Sequence, residues 1–133
     1  MKIGLDTSVV VRLICGEPRE LAESALHLMM RLKEQSGRAI VSDLVVAESY
    51  YALQHHYGVS KADALAALKS LFDWEAVECL GEASKILALA RLARANPGFV
   101  DRVIHQQYLI GGADEVATFE KSAKSLSHIK LVE

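Results

Sequence analysis

Ala39-Ile40-Val41-Ser42-Asp43-Leu44-Val45-Val46-Ala47-Glu48 is the stretch on which the fold turns. Its first three residues are all apolar, as in a short strand buried on both faces of a parallel sheet. Ser42 then offers a side-chain oxygen to the open N–H groups of a following helix. The stripe Val46, Tyr50, Leu53, Tyr57 recurs at helical spacing and stops at Gly58. A buried strand running straight into a capped helix is half of a strand–helix–strand crossover.

The flanks repeat the pattern. Upstream, Ile3-Gly4-Leu5 predicts a strand ending at Asp6-Thr7-Ser8, any of which can N-cap the apolar run Val9 to Ile14. Pro18 opens a helix with Leu21, Ala25, Leu28 or Met29, and Leu32 on one face; it ends near Ser36-Gly37, with Gly37 as the C-cap. Downstream, Ser60-Lys61-Ala62-Asp63 starts like a capping box, with Asp where Glu is usual, and leads a helix to about Phe72. Trp74 to Cys79 alternates with period two and predicts a strand. Glu82 to Ala95 predicts a helix with Ile86, Leu89 or Ala90, and Ala93 on one side. Asn96-Pro97-Gly98 is the strongest break in the chain. Phe99 to Ile110 predicts a further helix closed by Gly111-Gly112, and Glu115 to Thr118 and Ile129 to Val132 predict the last two strands. Alternating strands and helices, with no repeat and no linker, predict one α/β domain over residues 1–133, its parallel sheet covered on both faces.

Composition narrows the chemistry. Hydrophobic residues are 51% of the 133 and Pro numbers 2, which argues against disorder. A formal net charge of −2 excludes a strongly cationic nucleic-acid coat, though a local basic rim stays compatible with it. Cys15 and Cys79 form no metal or disulfide spacing and read as small core hydrophobes. There is no long apolar run and no signal-like segment after Lys2, so a reducing cytoplasm is the expected compartment.

Acidic residues carry the functional signal. In this architecture sites form beyond the carboxyl ends of the strands, which places Asp6 and Glu120, after the first and fourth strands, on one edge. Glu48 has Leu44, Val45, Tyr51 and Ala52 as its helical neighbours and no Lys or Arg among them. A carboxylate in such apolar company is costly unless paired or bound to metal. Asp101, in the first turn after Asn96-Pro97-Gly98, is explained equally well by the helix dipole. Asp6 is explained equally well as an N-cap, and Glu120 alone reads as an ordinary loop acid. Their joint placement is the stronger argument: carboxylates gathered at one edge repel each other unless a cation neutralises them. Oxygen donors without His or Cys select Mg²⁺ or Mn²⁺.

The order and spacing of four segments resemble the PIN domain family and, within it, the VapC toxins of toxin–antitoxin pairs. The segments are Ile3-Gly4-Leu5-Asp6-Thr7-Ser8, Val41-Ser42-Asp43-Leu44-Val45-Val46-Ala47-Glu48, Phe99-Val100-Asp101 and Ala117-Thr118-Phe119-Glu120-Lys121, covering essentially the whole chain. The resemblance implies a three-layer α/β/α sandwich and a Mg²⁺- or Mn²⁺-dependent endoribonuclease. It also implies frequent homodimerisation and inhibition by a small cognate antitoxin. Asp6, Glu48 and Asp101 match the family's first three acids, Ser8 a polar residue beside the first, and Thr118 a hydroxyl near the site. Glu120 stands where the family usually has Asp; the extra methylene moves its carboxylate about 1.5 Å further from the backbone, which leaves one-metal and two-metal chemistry both open. In-line attack leaving a 5′-phosphate and a 3′-hydroxyl is the implied reaction.

Arg12, Arg102, Lys121 and Lys124 are the basic residues placed to contact an RNA backbone, with solvated surface charge as the equal alternative for each. His105 shares a face with Asp101 and is expected to pack, and His55-His56 to form the wet end of its helix. Tyr50, Tyr51, Tyr57, Phe72 and Trp74 are expected in core and interface. Three other functions compete: a catalytically impaired protein- or RNA-binding module, a metal-dependent phosphoesterase acting on DNA or a small phosphoester, and a metal-free regulatory domain.

Overall fold

The computed structural model describes all 133 residues. Strand β1 (Lys2–Gly4) leads into helix α1 (Thr7–Cys15), and helix α2 (Arg19–Glu34) returns the chain to β2 (Arg38–Val41). Helices α3 (Asp43–His55) and α4 (Lys61–Phe72) make the next crossover to β3 (Val77–Cys79). A short helix α5 (Ala83–Leu87) and helix α6 (Phe99–Ile110) precede β4 (Val116–Thr118) and β5 (Ile129–Leu131).

All pairings are parallel, as the crossovers require. β2 is central, with Ile3 opposite Ala39 on one side and Ile40 opposite Glu78 on the other. The class is the expected α/β/α arrangement around short parallel strands, but the strands make two ladders rather than one: β1-β2-β3, and β4-β5 alone. With β1 and β4 only three residues each, there is little backbone to continue the ladder across. Within β2, Ala39 and Val41 are fully buried while Arg38 and Ile40 are only half-buried, so its two faces are not equally covered.

Side-chain caps explain three of the six helix starts. Asp6 caps α1 by accepting from the Val9 N–H, Ser42 caps α3 by accepting from Val45, and Ser60 caps α4 by accepting from Asp63. Val46, Tyr50 and Leu53 of the α3 stripe enter the core, where the Tyr50 and Phe99 rings meet edge to face at 5.3 Å. At the end of α2 the left-handed residue is Ser36 (φ 55°), not Gly37. Gly37 is needed for space instead: its N–H donates to Leu32 O at 2.7 Å, and a Cβ there would lie 3.0 Å from Met1 O.

Two expected elements are shortened. The strand expected over Trp74–Cys79 begins only at Val77, after a turn. The helix expected over Glu82–Ala95 ends at Leu87, and a single 3₁₀ turn at Leu92–Arg94 follows a left-handed Arg91 (φ 59°). The buried residues are Ala83, Leu87 and Leu92, while Leu89 is exposed. Positions 87 and 92 would point about 140° apart on one continuous helix, so the break lets both reach the core.

Candidate active site

The tight passage from β1 into α1 sets the first acid. Leu5 is buried and its N–H donates to Ile40 O at 2.9 Å, which pins the chain to β2 one residue before Asp6. Asp6 is exposed, and its Oδ1 accepts from Ser8 Oγ at 2.5 Å and from Val9 N at 3.2 Å. The Ser8 hydroxyl and then the Val9 N–H hold its carboxyl below the ordinary carboxylate range, with Arg12 adding a smaller pull and burial opposing. These bonds favour the ionised form, so their contribution to stability is complete above the ordinary carboxyl value of 3.8 and is lost as pH falls through the depressed one. Ser8→Ala removes the largest of them. NMR titration of the Asp6 carboxyl is expected to read a higher pKa in that variant; an unmoved one would show that Ser8 does not set it.

Glu48 lies on α3, which packs beside α1. Its Oε1 accepts a short hydrogen bond from Thr7 Oγ1, the residue directly after Asp6. Its apolar neighbours do not bury it: Glu48 is exposed, and so are Leu44 (78%) and Tyr51 (47%). The expectation that an apolar neighbourhood isolates this carboxylate from water is therefore corrected, because Leu44 and Tyr51 face solvent and Val45 and Ala52 are only half-buried. What distinguishes Glu48 is its bond to Thr7 and the cavity it shares with Asp6.

That cavity, of about 570 Å³, opens between α1 and α3 and includes Asp6, Thr7, Ser8, Arg12 and Glu48 in its lining. Each carboxylate is anchored through one oxygen only, and Asp6 Oδ2 and Glu48 Oε2 have no hydrogen-bond partner. Two ionisable oxygen donors with free lone pairs in an open cleft fit a hard divalent ion such as Mg²⁺ or Mn²⁺.

The other expected site residues stand outside this lining. Asp101 is exposed in the first turn of α6. Glu120 is exposed just after β4, its N–H donating to Thr118 Oγ1 at 3.0 Å, so Thr118 shapes the backbone that presents it. No three His, Cys, Asp or Glu side chains are grouped closely enough to hold one ion; only Asp6 and Glu48 share the cavity. Among the basic residues, Arg12 lines the cavity, Arg102 donates from Nε to Pro97 O at 2.7 Å, and Lys121 and Lys124 are exposed after β4. His105 packs as expected: it is buried, and its Nε2 donates to Ser127 O at 2.7 Å.

Three informative residues escape a reading of the sequence. His56 and Tyr57, expected as a wet helix end and a core ring, line the cavity. Asp43 is buried and accepts at Oδ2 from Glu82 N (2.8 Å) and Gln107 Nε2 (2.7 Å), and at Oδ1 from Ala83 N (2.8 Å). It ties the start of α3 to α5 and α6. An acid in the first turn of a helix is ordinary, and its partners lie 39 to 64 residues away, so no local signal marks it.

Comparison with known proteins agrees with this geometry. No curated protein matches the chain. A family model described as the PIN domain matches residues 3–129, nearly the full length. PIN domains are generally metal-dependent nucleases, which accords with an acidic cleft beyond the carboxyl ends of parallel strands. By its fold, its strand-end acids and this match, the chain belongs to the PIN domain family.

Proposed function

We propose that the chain is a divalent-metal-dependent endoribonuclease and the toxin of a toxin–antitoxin pair. The observation that carries the nuclease reading is the pairing of Asp6 and Glu48, each with a free oxygen, in one open cavity. On this reading both acids hold Mg²⁺ or Mn²⁺, and Asp101 and Glu120 belong to the same acidic set through their motif positions. An ion held by Asp6 and Glu48 would supply neutralisation of charge on the phosphodiester and a lowered pKa for a water beside it. Ser8 and Thr7 keep the two carboxylates aimed into the cleft by occupying their other oxygens. The toxin assignment, a small cognate antitoxin as partner, a homodimer, a cytoplasmic setting and a single domain over residues 1–133 rest on the likeness to VapC toxins.

A second reading, a binding module with impaired catalysis, is favoured by one observation: no third acid joins Asp6 and Glu48. Incubation of the purified chain with RNA, DNA and a phosphomonoester, in Mn²⁺ or in EDTA, separates the readings. Cleavage of RNA in Mn²⁺, abolished by EDTA, is the expected result. Binding of RNA without turnover favours the impaired module, and turnover confined to DNA or the monoester replaces the ribonuclease assignment.

A further inference from the structure

A second cavity, of about 580 Å³, opens at the amino ends of the strands, where Arg38 begins β2 and Trp74-Glu75-Ala76 lead into β3. Asp6 and Glu120 follow the carboxyl ends of β1 and β4, so this cavity lies at the opposite end of the strands from those acids. One wall is a face of α2, whose Leu26, Met29, Met30 and Lys33 recur at helical spacing. The volume lies within the range of roughly 300–1,000 Å³ typical of small-molecule sites. Met29 is buried, whereas Leu26, Met30 and Trp74 are large apolar side chains left exposed around one hollow. Gathered in this way they mark a binding surface, although scattered singly they would need no explanation.

The polar groups of this cavity divide into committed and free ones. Arg38 donates from Nη1 to Glu75 O, and its Nε lies 3.6 Å from Glu78 Oε1. Those contacts clamp the Trp74 turn to β2 and hold that wall in shape. Lys33 and Glu75, one cation and one anion on the same lining, form no ion pair with each other or with any other residue. Ser36 adds a hydroxyl to the lining from a left-handed backbone (φ 55°), a conformation rare outside glycine and frequent at ligand sites. A simple anion in the cavity would meet Glu75, and a simple cation would meet Lys33. A small ligand that carries both charges satisfies both side chains.

We propose that this cavity binds a free α-amino acid with an aromatic side chain, its carboxylate on Lys33, its ammonium on Glu75 and its ring against Trp74, Met29 and Met30. An aromatic ring suits the lining better than an aliphatic chain, because the indole and the methionine sulfurs both gain from contact with a ring. The site is independent of the nuclease reading and goes beyond it.

Trp74 is the only tryptophan of the chain, so its fluorescence reports on this cavity. Titration of the full chain with L-phenylalanine is expected to change that emission saturably in EDTA, and to the same extent in Asp6→Asn. N-acetyl-phenylalanine lacks the ammonium and phenylalaninamide lacks the carboxylate. Each is expected to bind roughly tenfold more weakly, the effect of losing one hydrogen bond between charged groups. Lys33→Gln should bind phenylalanine as weakly as the unsubstituted chain binds the amide, and Glu75→Gln as weakly as it binds the N-acetyl compound. Trp74→Ala, followed by calorimetry and checked for folding by circular dichroism, is expected to give no measurable binding. No saturable change with phenylalanine, equal affinity for the three probes, or unchanged affinity in both charge variants would overturn the site. Loss of binding in a folded Asp6→Asn chain would overturn it too, by moving the ligand to the acid cleft.

Discussion

Asp6→Asn is expected to cleave RNA at least ~10²-fold more slowly than the unsubstituted chain while its melting temperature moves by no more than a few degrees. The rate loss is scaled on removal of one group that stabilises charge in a transition state. The small stability change follows from the geometry of α1. Asn is as good an N-cap as Asp, and its side-chain oxygen can accept from Val9 N and Ser8 Oγ as Asp6 Oδ1 does. Only the negative charge is lost, near a helix N-terminus where its effect is modest and screened. The substitution therefore separates capping from metal chemistry at one residue. Single-turnover cleavage in Mn²⁺ beside a thermal melt checks both halves; an unimpaired rate in a folded protein removes Asp6 from the site.

Asp43→Ala is expected to act in the opposite way, with stability as the main casualty. It leaves the N–H groups of Glu82 and Ala83 and the amide of Gln107 without their acceptor, in a buried or half-buried setting. An unsatisfied buried donor costs about 1–3 kcal/mol, so a loss near 3 kcal/mol is expected even if water recovers part of it. For a chain of this length that corresponds to a fall of roughly 10 °C in melting temperature. Asp43→Asn should recover only part, because its NH₂ must face one set of donors. Gly81 provides an independent check. A Cβ there would overlap the Asp43 carboxylate, so Gly81→Ala should destabilise the native chain and cost far less in an Asp43→Ala background. Denaturant unfolding of the double-mutant cycle measures this coupling. Strictly additive losses would show that Asp43 and Gly81 do not depend on each other.

Much of the fold was legible because it is specified by neighbours. Ser42 and Ser60 sit directly before apolar-periodic runs and cap their helices as read. The break at Asn96-Pro97-Gly98 lies directly before α6, and the β4 and β5 segments are found within a residue or so of their expected ends. Glu82–Ala95 was misread because its periodicity fits one continuous helix, whereas packing requires Leu87 and Leu92 to reach the same core through a turn at Arg91. The site divides along the same line. Asp6 follows from a strand ending at an N-cap, whereas the apolar company of Glu48 leaves it in water, since Leu44 and Tyr51 are exposed and Val45 and Ala52 only half-buried.

The alternation of elements, the serine caps and the positions of the four motif acids are written in local sequence, since each depends on side chains within a turn or two of one another. That Asp6 and Glu48 share a cavity, that Arg12, His56 and Tyr57 also line it, and that Asp43 is a buried junction emerges from the packing of the helices. Those relations join residues that are distant along the chain, where no periodicity or capping preference reaches, and they arise from the docking of α1 on α3 and of α5 and α6 around the start of α3.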